Sequence, residues 1–272
     1  MAMLITALLC LSLIAGLLLE PHWRERRRRK LASRPWPAAW RRVLRRHVPL
    51  TQRLPAAQQI RLRQLIQIFL AEKEFIGCAG QRITDEVRLV IAAQACLPLL
   101  GRPRGHYPRL RQILVYPGAF AVPSVQTSTA GVQMEQRQVL AGQSWSQGQV
   151  ILSWEDVRRG AADPDDGQNV VIHEFAHQLD QEKGFANGAP TLGSRAAYAR
   201  WSTTMQHEFE RLRERLSRGE PSLIHAYGAQ DPAEFFAVAS ECFFEQGAMM
   251  ATLHPALYRL LADYYQLEPA SW

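Results

Sequence analysis

Two histidines separated by three residues, with a glutamate after the first, stand in the stretch NVVIHEFAHQLDQEKG, residues 169–184. On a helix His173 and His177 lie one turn apart, so both imidazoles can point at one ion. That is the geometry that zinc needs from paired nitrogen ligands. Glu174 falls to the other side of the histidine pair, where it could hold a metal-bound water. The stretch therefore predicts a metal site with a carboxylate beside it.

The alternative interpretation of this stretch is an amphipathic helix whose histidines are solvated. A pattern with three fixed positions arises by chance often enough that it only suggests a site on its own. The segment VVIHEFAH is too apolar for a solvated helix, however, and buried histidines need polar partners. These features favour metal binding.

A catalytic zinc site takes a third protein ligand and keeps its fourth position open for water. The best source of that ligand is AYGAQDPAEFFAVASECFFEQ, residues 226–246. If Asp231 caps a helix there, Glu234, Glu241 and Glu245 line up on one side. Carboxylates on so apolar a helix must be paired or bound to a cation. Spacing leaves both Glu234 and Glu241 open as the third ligand, since Glu234 could simply complete a capping box.

The motif HEFAHQLD, together with GQSWSQG, VILSW and AYGAQDPAE, resembles the Mlc titration factor A family of zinc-dependent peptidases. The similarity runs over roughly residues 55–268. The resemblance implies one Zn²⁺ per chain, with His173, His177 and Glu234 as its ligands. It also implies that Glu174 is the general base.

Tyr227, seven residues before the implied third ligand, lies near the metal according to the same resemblance. Its hydroxyl could donate to the oxyanion that forms when a peptide carbonyl is attacked. We therefore expect hydrolysis of a peptide or protein substrate, of aminopeptidase type by the resemblance, with Glu174 accepting the proton of the attacking water. The strand QVILSW, upstream of the metal helix, is expected to be an edge along which an extended peptide binds.

A second function, of another class, follows from the name of the family that the chain resembles. The protein would be membrane-tethered and would sequester a transcriptional regulator, a repressor of the Mlc type. Catalysis needs Glu174, whereas sequestration needs only a surface. Replacing Glu174 by Gln therefore separates the two functions.

Helix-like and strand-like segments share the chain between residue 55 and the metal motif. Apolar residues recur at helical spacing after residue 55, and TDEVRLVIAAQACLPLL predicts a helix that Thr84 or Asp85 caps and Pro98 ends. The segments RQILVYPGAFAV, GVQMEQRQVLAGQSW and GQVILSW have the composition of strands. We expect a small sheet between helices, hence an α+β fold. The resemblance implies a zincin-like metallopeptidase domain over residues 55–272.

Residues 1–19, MAMLITALLCLSLIAGLLL, carry no charged side chain. As a helix they would be about 28 Å long, enough to cross the hydrocarbon core of a bilayer. A buried core helix and a cleaved signal peptide are the alternatives, but the segment lacks the basic start and the cleavage site of a signal peptide. The arginines that follow place the rest of the chain in the cytoplasm. We expect a single-pass transmembrane anchor in the inner membrane, with the cytosol as the alternative location.

Basic residues are concentrated directly after this apolar segment. Residues 20–50 contain eleven lysines and arginines and two glutamates, and the rest of the chain is close to neutral. Because these residues abut an apolar span, they favour anionic lipid head groups, and we expect no direct binding of nucleic acid. Residues 20–54 are expected to form a basic juxtamembrane linker. The four cysteines form no CxxC pair, which indicates a reducing compartment rather than a disulfide framework.

Overall fold

The structure is a computed structural model that describes residues 2–102, 106–127, 133–140, 142–145 and 148–272. Within these ranges, the side chains of residues 120–147 and most of those of residues 2–18 are not described.

The described residues are mostly helical, with a small sheet, which confirms the α+β prediction. The helices are α1 (Ala2–Ala32), α2 (Ala38–His47), α3 (Leu50–Arg53), α4 (Ala56–Glu72), α5 (Asp85–Ala95), α6 (Trp154–Ala162), α7 (Val170–Asp180), α8 (Arg195–Ser217), α9 (Pro232–Glu245), α10 (Gly247–Leu253) and α11 (Pro255–Tyr265). The strands are β1 (Glu74–Gly77), β2 (Gln112–Tyr116), β3 (Phe120–Thr127), β4 (Gln133–Leu140), β5 (Gly142–Trp145) and β6 (Gln149–Ser153).

Four strands form one sheet in the order β1-β2-β6-β5. Strands β1, β2 and β6 run parallel, and β5 pairs antiparallel with β6. Strands β3 and β4 form a separate antiparallel pair. The prediction that QVILSW is an edge strand is wrong, because β6 lies between β2 and β5. The edge strands are β1 and β5, and a strand's neighbours in a sheet cannot be inferred from its own composition.

Helix α5 lies at the centre of the hydrophobic core. Its residues Val90, Ile91 and Ala92 are fully buried, and the helix contacts α2, α4, α6 and α7. The Thr84 hydroxyl accepts a hydrogen bond from the backbone N–H of Val87, so the predicted N-cap is confirmed. The helix ends at Ala95, ahead of Pro98, as proline chemistry requires.

The expected juxtamembrane linker, residues 20–54, is largely helical and packs against the domain from Arg28 onward, whereas residues 20–27 are exposed. The end of α1 packs against α4, with Leu31 buried. The Arg28 guanidinium donates two hydrogen bonds, of 2.8 and 2.9 Å, to the Glu72 carboxylate. Leu44 of α2 joins the same core as α4 and α5. The mixed Pro, Trp and Arg composition hid a helical period that makes one side of α2 apolar.

Among the residues with described side chains, we find no helix that is long and apolar enough to cross a membrane. The predicted anchor, residues 1–19, lies largely outside that set and stays a prediction.

Candidate metal centre

Helix α7 carries His173, Glu174 and His177. The Asn169 side chain caps the helix by accepting a hydrogen bond of 3.0 Å from the backbone N–H of Ile172. Five apolar residues of α7 are fully buried, which fixes the rotation of the helix about its axis: Val171, Ile172, Phe175, Ala176 and Leu179. Because α7 packs against α9, the histidines of α7 face the carboxylates of α9.

The structure brings together the side chains of His173, His177 and Glu234. The Nε2 atoms of the two histidines are 3.2 Å apart. Glu234 Oε2 lies 3.0 Å from His173 Nε2 and 3.5 Å from His177 Nε2. Ligand atoms bound tetrahedrally to zinc at about 2.0–2.1 Å are about 3.3 Å from one another. These three atoms therefore occupy three corners of a tetrahedron of the size that zinc requires.

The chemistry of these three side chains also suits a bound cation. Glu234 Oε2 is buried and, within the described part of the chain, makes no hydrogen bond of good geometry despite its short distances to the rings. Burial alone would raise the pKa of the Glu234 carboxyl, but its contacts with His173 and His177 outweigh burial and lower that pKa to about 2. A charged, buried carboxylate beside two imidazole nitrogens is a donor set that a divalent metal would satisfy.

Glu241, the other candidate for the third ligand, lies on the opposite side of the His173 ring. Its Oε1 is 2.8 Å from His173 Nδ1, so it contacts the nitrogen that faces away from Glu234. Its Oε2 accepts a hydrogen bond from the backbone N–H of Asn169. Glu241 therefore holds the imidazole in place and leaves Nε2 available to a metal.

Glu245 and Asn169 extend this network; the sequence indicated that Glu245 needs a partner but did not indicate that the partner is Asn169. The Asn169 amide donates a hydrogen bond of 2.8 Å to Glu245 Oε1. Burial raises the pKa of the Glu245 carboxyl to about 9, although the hydrogen bond from Asn169 opposes this shift. The signal available in the sequence was the repeat of glutamate along one face of an apolar helix.

Glu174 projects into a cleft of about 380 Å³ that His173 and Tyr227 also line. Glu174 is only 4% exposed. Burial, its largest influence, raises its pKa to about 7. Among the described residues, no group hydrogen-bonds to Glu174 Oε2. A buried carboxyl with a free oxygen and a pKa near neutrality suits a general base.

Tyr227 stands beside the histidines, where the resemblance placed it. Its ring centroid is 5.8 Å from that of His173, and the residue belongs to a short turn, Ala226–Ala229, that precedes α9. Burial and the nearby Glu234 carboxylate raise the pKa of the Tyr227 hydroxyl to about 12. The hydroxyl therefore stays protonated at neutral pH and can act as a hydrogen-bond donor.

Comparison with known proteins gives concordant results. The chain matches the family "Glucose-regulated metallo-peptidase M90" over residues 22–266. An uncharacterized protein of Synechocystis sp. is 44% identical over 260 residues, which cover 95% of this chain and 94% of the relative. Mlc titration factor A of Klebsiella pneumoniae (strain 342) is 33% identical over 241 residues, 88% of each chain.

A further relative, Mlc titration factor A of Salmonella gallinarum, is 34% identical over 226 residues, 82% of this chain and 84% of the relative. The matched region includes α7, α9 and the residues of the metal centre. Membership of a metallopeptidase family implies a bound metal, and the chain has a set of side chains that fits one. The chain belongs to the family of glucose-regulated metallo-peptidases M90.

Proposed function

We propose that the protein is a zinc-dependent peptidase of the aminopeptidase type. The observation that carries the proposal is the convergence of His173 Nε2, His177 Nε2 and Glu234 Oε2, spaced 3.0–3.5 Å apart, at a cleft that contains Glu174. Zinc, when bound there, would lower the pKa of a water molecule and polarise the scissile carbonyl.

The chain's own residues would supply the proton transfers. Glu174 would accept the proton of the attacking water and pass it to the leaving amine, which requires that its carboxyl be ionised at the start. Tyr227 would donate a hydrogen bond to the carbonyl oxygen as negative charge develops there. Glu241 would keep the His173 ring oriented through its contact with Nδ1.

Strand β5 is the candidate binding edge for the substrate backbone. It lies at the end of the four-stranded sheet and packs beside α7, next to the metal centre. An extended peptide could add to this edge by main-chain hydrogen bonds. Asp166 lines the same cleft as Glu174, and its carboxylate would attract the free amino terminus of a peptide. This placement favours aminopeptidase over endopeptidase activity.

The test is hydrolysis of a short peptide by the zinc-loaded, full-length protein, measured with a free and with an acetylated amino terminus. We expect cleavage of the free peptide only, loss of cleavage on chelation, and recovery when zinc is returned. Equal cleavage of both peptides would contradict the aminopeptidase assignment. If the zinc-loaded protein cleaves no member of a peptide library, the peptidase proposal itself fails.

A second candidate function is sequestration of a transcriptional regulator of the Mlc type. The observation that favours it is the name, Mlc titration factor A, of relatives that match most of this chain. We would measure binding of an Mlc-type repressor by wild type and by Glu174→Gln. Saturable binding by both proteins would support sequestration as a function separate from hydrolysis, and no binding by either would remove it.

We also propose that residues 1–19 anchor the protein in the inner membrane, with the domain in the cytoplasm. The support is the uncharged apolar run and the arginines that follow it. Reporters active on one side of the membrane, fused at the carboxyl terminus, test this location. Activity on the periplasmic side, or recovery of the full-length chain in the soluble fraction, would contradict it.

A further inference from the structure

A small cleft far along the chain from the metal motif is lined by residues of α2, α3 and α4 and has a volume of about 150 Å³. Its lining includes three arginines, Arg41 and Arg45 of α2 and Arg63 of α4, and no acidic residue. The volume is well below the 300–1,000 Å³ that is usual for drug-sized ligands. The cleft therefore suits a small anion or the charged end of a larger molecule.

The packing of α2 determines which arginines reach this cleft. Leu44 is buried in the core, and Trp40 and Val43 pack against the core. Arg41 and Arg45, four residues apart, share another side of the helix, so their like charges lie close enough to repel each other.

The three cleft arginines have no acidic partner in the described part of the chain. The acids nearest to them in the sequence contact other arginines: Glu20 contacts Arg24, and Glu25 contacts Arg29. Glu72, on the same helix as Arg63, binds Arg28. The positive charge of the cleft is therefore not neutralised by these groups.

Trp36 gives an independent indication that an acceptor is missing. The residue lines the cleft, and its indole Nε1 is buried without a hydrogen-bond partner among the described residues. Indole N–H is a donor only, so a buried one normally finds an acceptor. Three guanidinium groups and one free N–H form a set of donors that lacks an anion.

We propose that this cleft binds a phosphate group. Guanidinium groups bind phosphate oxygens through paired, charge-assisted hydrogen bonds, which lysine cannot reproduce. The phosphate could belong to a soluble phosphate ester or to a phospholipid head group, and the chemistry of recognition is the same for both. This site is separate from the proposed peptidase activity and does not depend on it.

The first test measures binding of inorganic phosphate to the full-length protein by calorimetry, at an ionic strength held constant with sodium chloride. Constant ionic strength separates a built site from general screening. We expect saturable binding that Arg41→Gln/Arg45→Gln weakens about tenfold or more, the cost of losing charge-assisted hydrogen bonds. The matched control is Arg42→Gln/Arg46→Gln, which removes the same charge from the same helix outside the cleft. We expect it to change binding less than about twofold.

Absence of saturable binding, or equal weakening by the two double variants, would overturn the proposal. Thermal unfolding of both variants checks that they are folded. If the cleft variant does not fold, Arg63→Gln, on a different helix, serves in its place and should also weaken binding. Trp36→Phe should weaken phosphate binding less than the arginine variants do, because it removes one neutral donor and keeps an aromatic ring.

Vesicles distinguish the two sources of phosphate. We would compare binding of each protein to vesicles of phosphatidylglycerol and of phosphatidylcholine, so that any contribution of residues 1–19 is present in both. A preference for phosphatidylglycerol that the cleft variant loses and the control variant keeps assigns the site to a lipid head group. If the cleft variant loses inorganic phosphate but keeps the lipid preference, the ligand is a soluble phosphate ester.

Discussion

The metal centre and the basic region formed by α1 and α2 both concentrate charge, but they arrange it in opposite ways. In the metal centre each of three glutamates on α9 contacts a group of the α7 segment: Glu234 lies against both imidazoles, Glu241 binds His173 Nδ1, and Glu245 binds Asn169. In the basic region, α2 presents four arginines that are exposed to solvent.

The difference follows from the free energy of desolvation. A buried carboxylate is costly unless it is paired, so the packing of α7 on α9 must define the position of each charge. Exposed arginines cost little when they have no acidic partner, so α2 can hold four of them without a carboxylate beside each one. Chemistry that depends on distances of 3 Å is therefore expected of the first region, whereas the anion site that we propose uses only two of the four arginines of α2.

The largest expected effect comes from Glu174→Gln in the metal centre. The amide has the shape of the carboxyl but cannot accept a proton at neutral pH, so kcat should fall about 10²–10⁴-fold. Zinc content should stay the same, because Glu174 is not one of the three converging ligands. Steady-state hydrolysis at equal zinc occupancy measures this, and unchanged turnover would exclude Glu174 as the base.

Tyr227→Phe should lower kcat about 10²-fold, or about 3 kcal/mol, with little change in KM. The reason is that the oxyanion exists only after attack has begun, so the hydroxyl contributes to the transition state alone. Phenylalanine keeps the ring against His173 and removes only the donor. Equal kcat values for the two proteins would show that Tyr227 merely packs.

Glu245→Gln tests whether a neutral group is preferred at the far end of the network. The folded pKa of about 9 lies above the ordinary value of 4.5, so folding requires a proton that the unfolded chain has released at neutral pH. The free energy of unfolding should therefore fall as pH rises from about 4.5 to about 9. At pH 7 it should be lower than at pH 4.5 by up to about 3 kcal/mol.

The glutamine variant removes this pH dependence and should be more stable than wild type at pH 7. Denaturant unfolding at pH 5, 7 and 9 measures the effect, with the exposed Glu210→Gln as the control. Parallel pH profiles for wild type and Glu245→Gln would show that the carboxyl is ionised in the folded protein.

Glu241→Gln should weaken zinc binding about 10–100-fold, the usual result of removing a partner that orients a ligand histidine. Competition against a metal chelator gives the affinity. Glu234→Ala is the comparison, and it should weaken zinc more because it removes a ligand itself. If Glu241→Ala strips the metal and Glu234→Ala leaves it, the two glutamates have been assigned in the wrong order.

The smallest effect is expected in the basic region. Arg42→Gln/Arg46→Gln should change the free energy of unfolding by about 0.5 kcal/mol or less and leave peptide hydrolysis unchanged, since both side chains are exposed and unpaired among the described residues. Denaturant titration and the peptide assay check this. A loss of hydrolysis above about tenfold would show that the two regions are coupled.

The same comparison explains what the sequence could predict. The pairing of His173 with His177 depends only on helical spacing, so it could be predicted from five residues. The choice between Glu234 and Glu241 could not, because both share one face of α9 and only the docking of α7 shows which one reaches Nε2. The packing of the segment after residue 27 could not be predicted for a related reason: Arg28 binds Glu72 of α4, 44 residues away, and Leu44 joins the core of α4 and α5. Strand β6 was likewise misplaced, since its neighbours are set by non-local pairing.

X-ray absorption at the zinc edge, combined with the zinc content of the purified protein, tests the central claim most directly. We predict one zinc per chain, with nitrogen and oxygen ligands at about 2.0–2.1 Å, the scattering of two imidazoles, and no sulfur at about 2.3 Å. In Glu234→Ala the zinc content should fall while the protein remains folded. A sulfur ligand, the absence of stoichiometric zinc, or an unchanged zinc environment in Glu234→Ala would contradict the assignment of His173, His177 and Glu234.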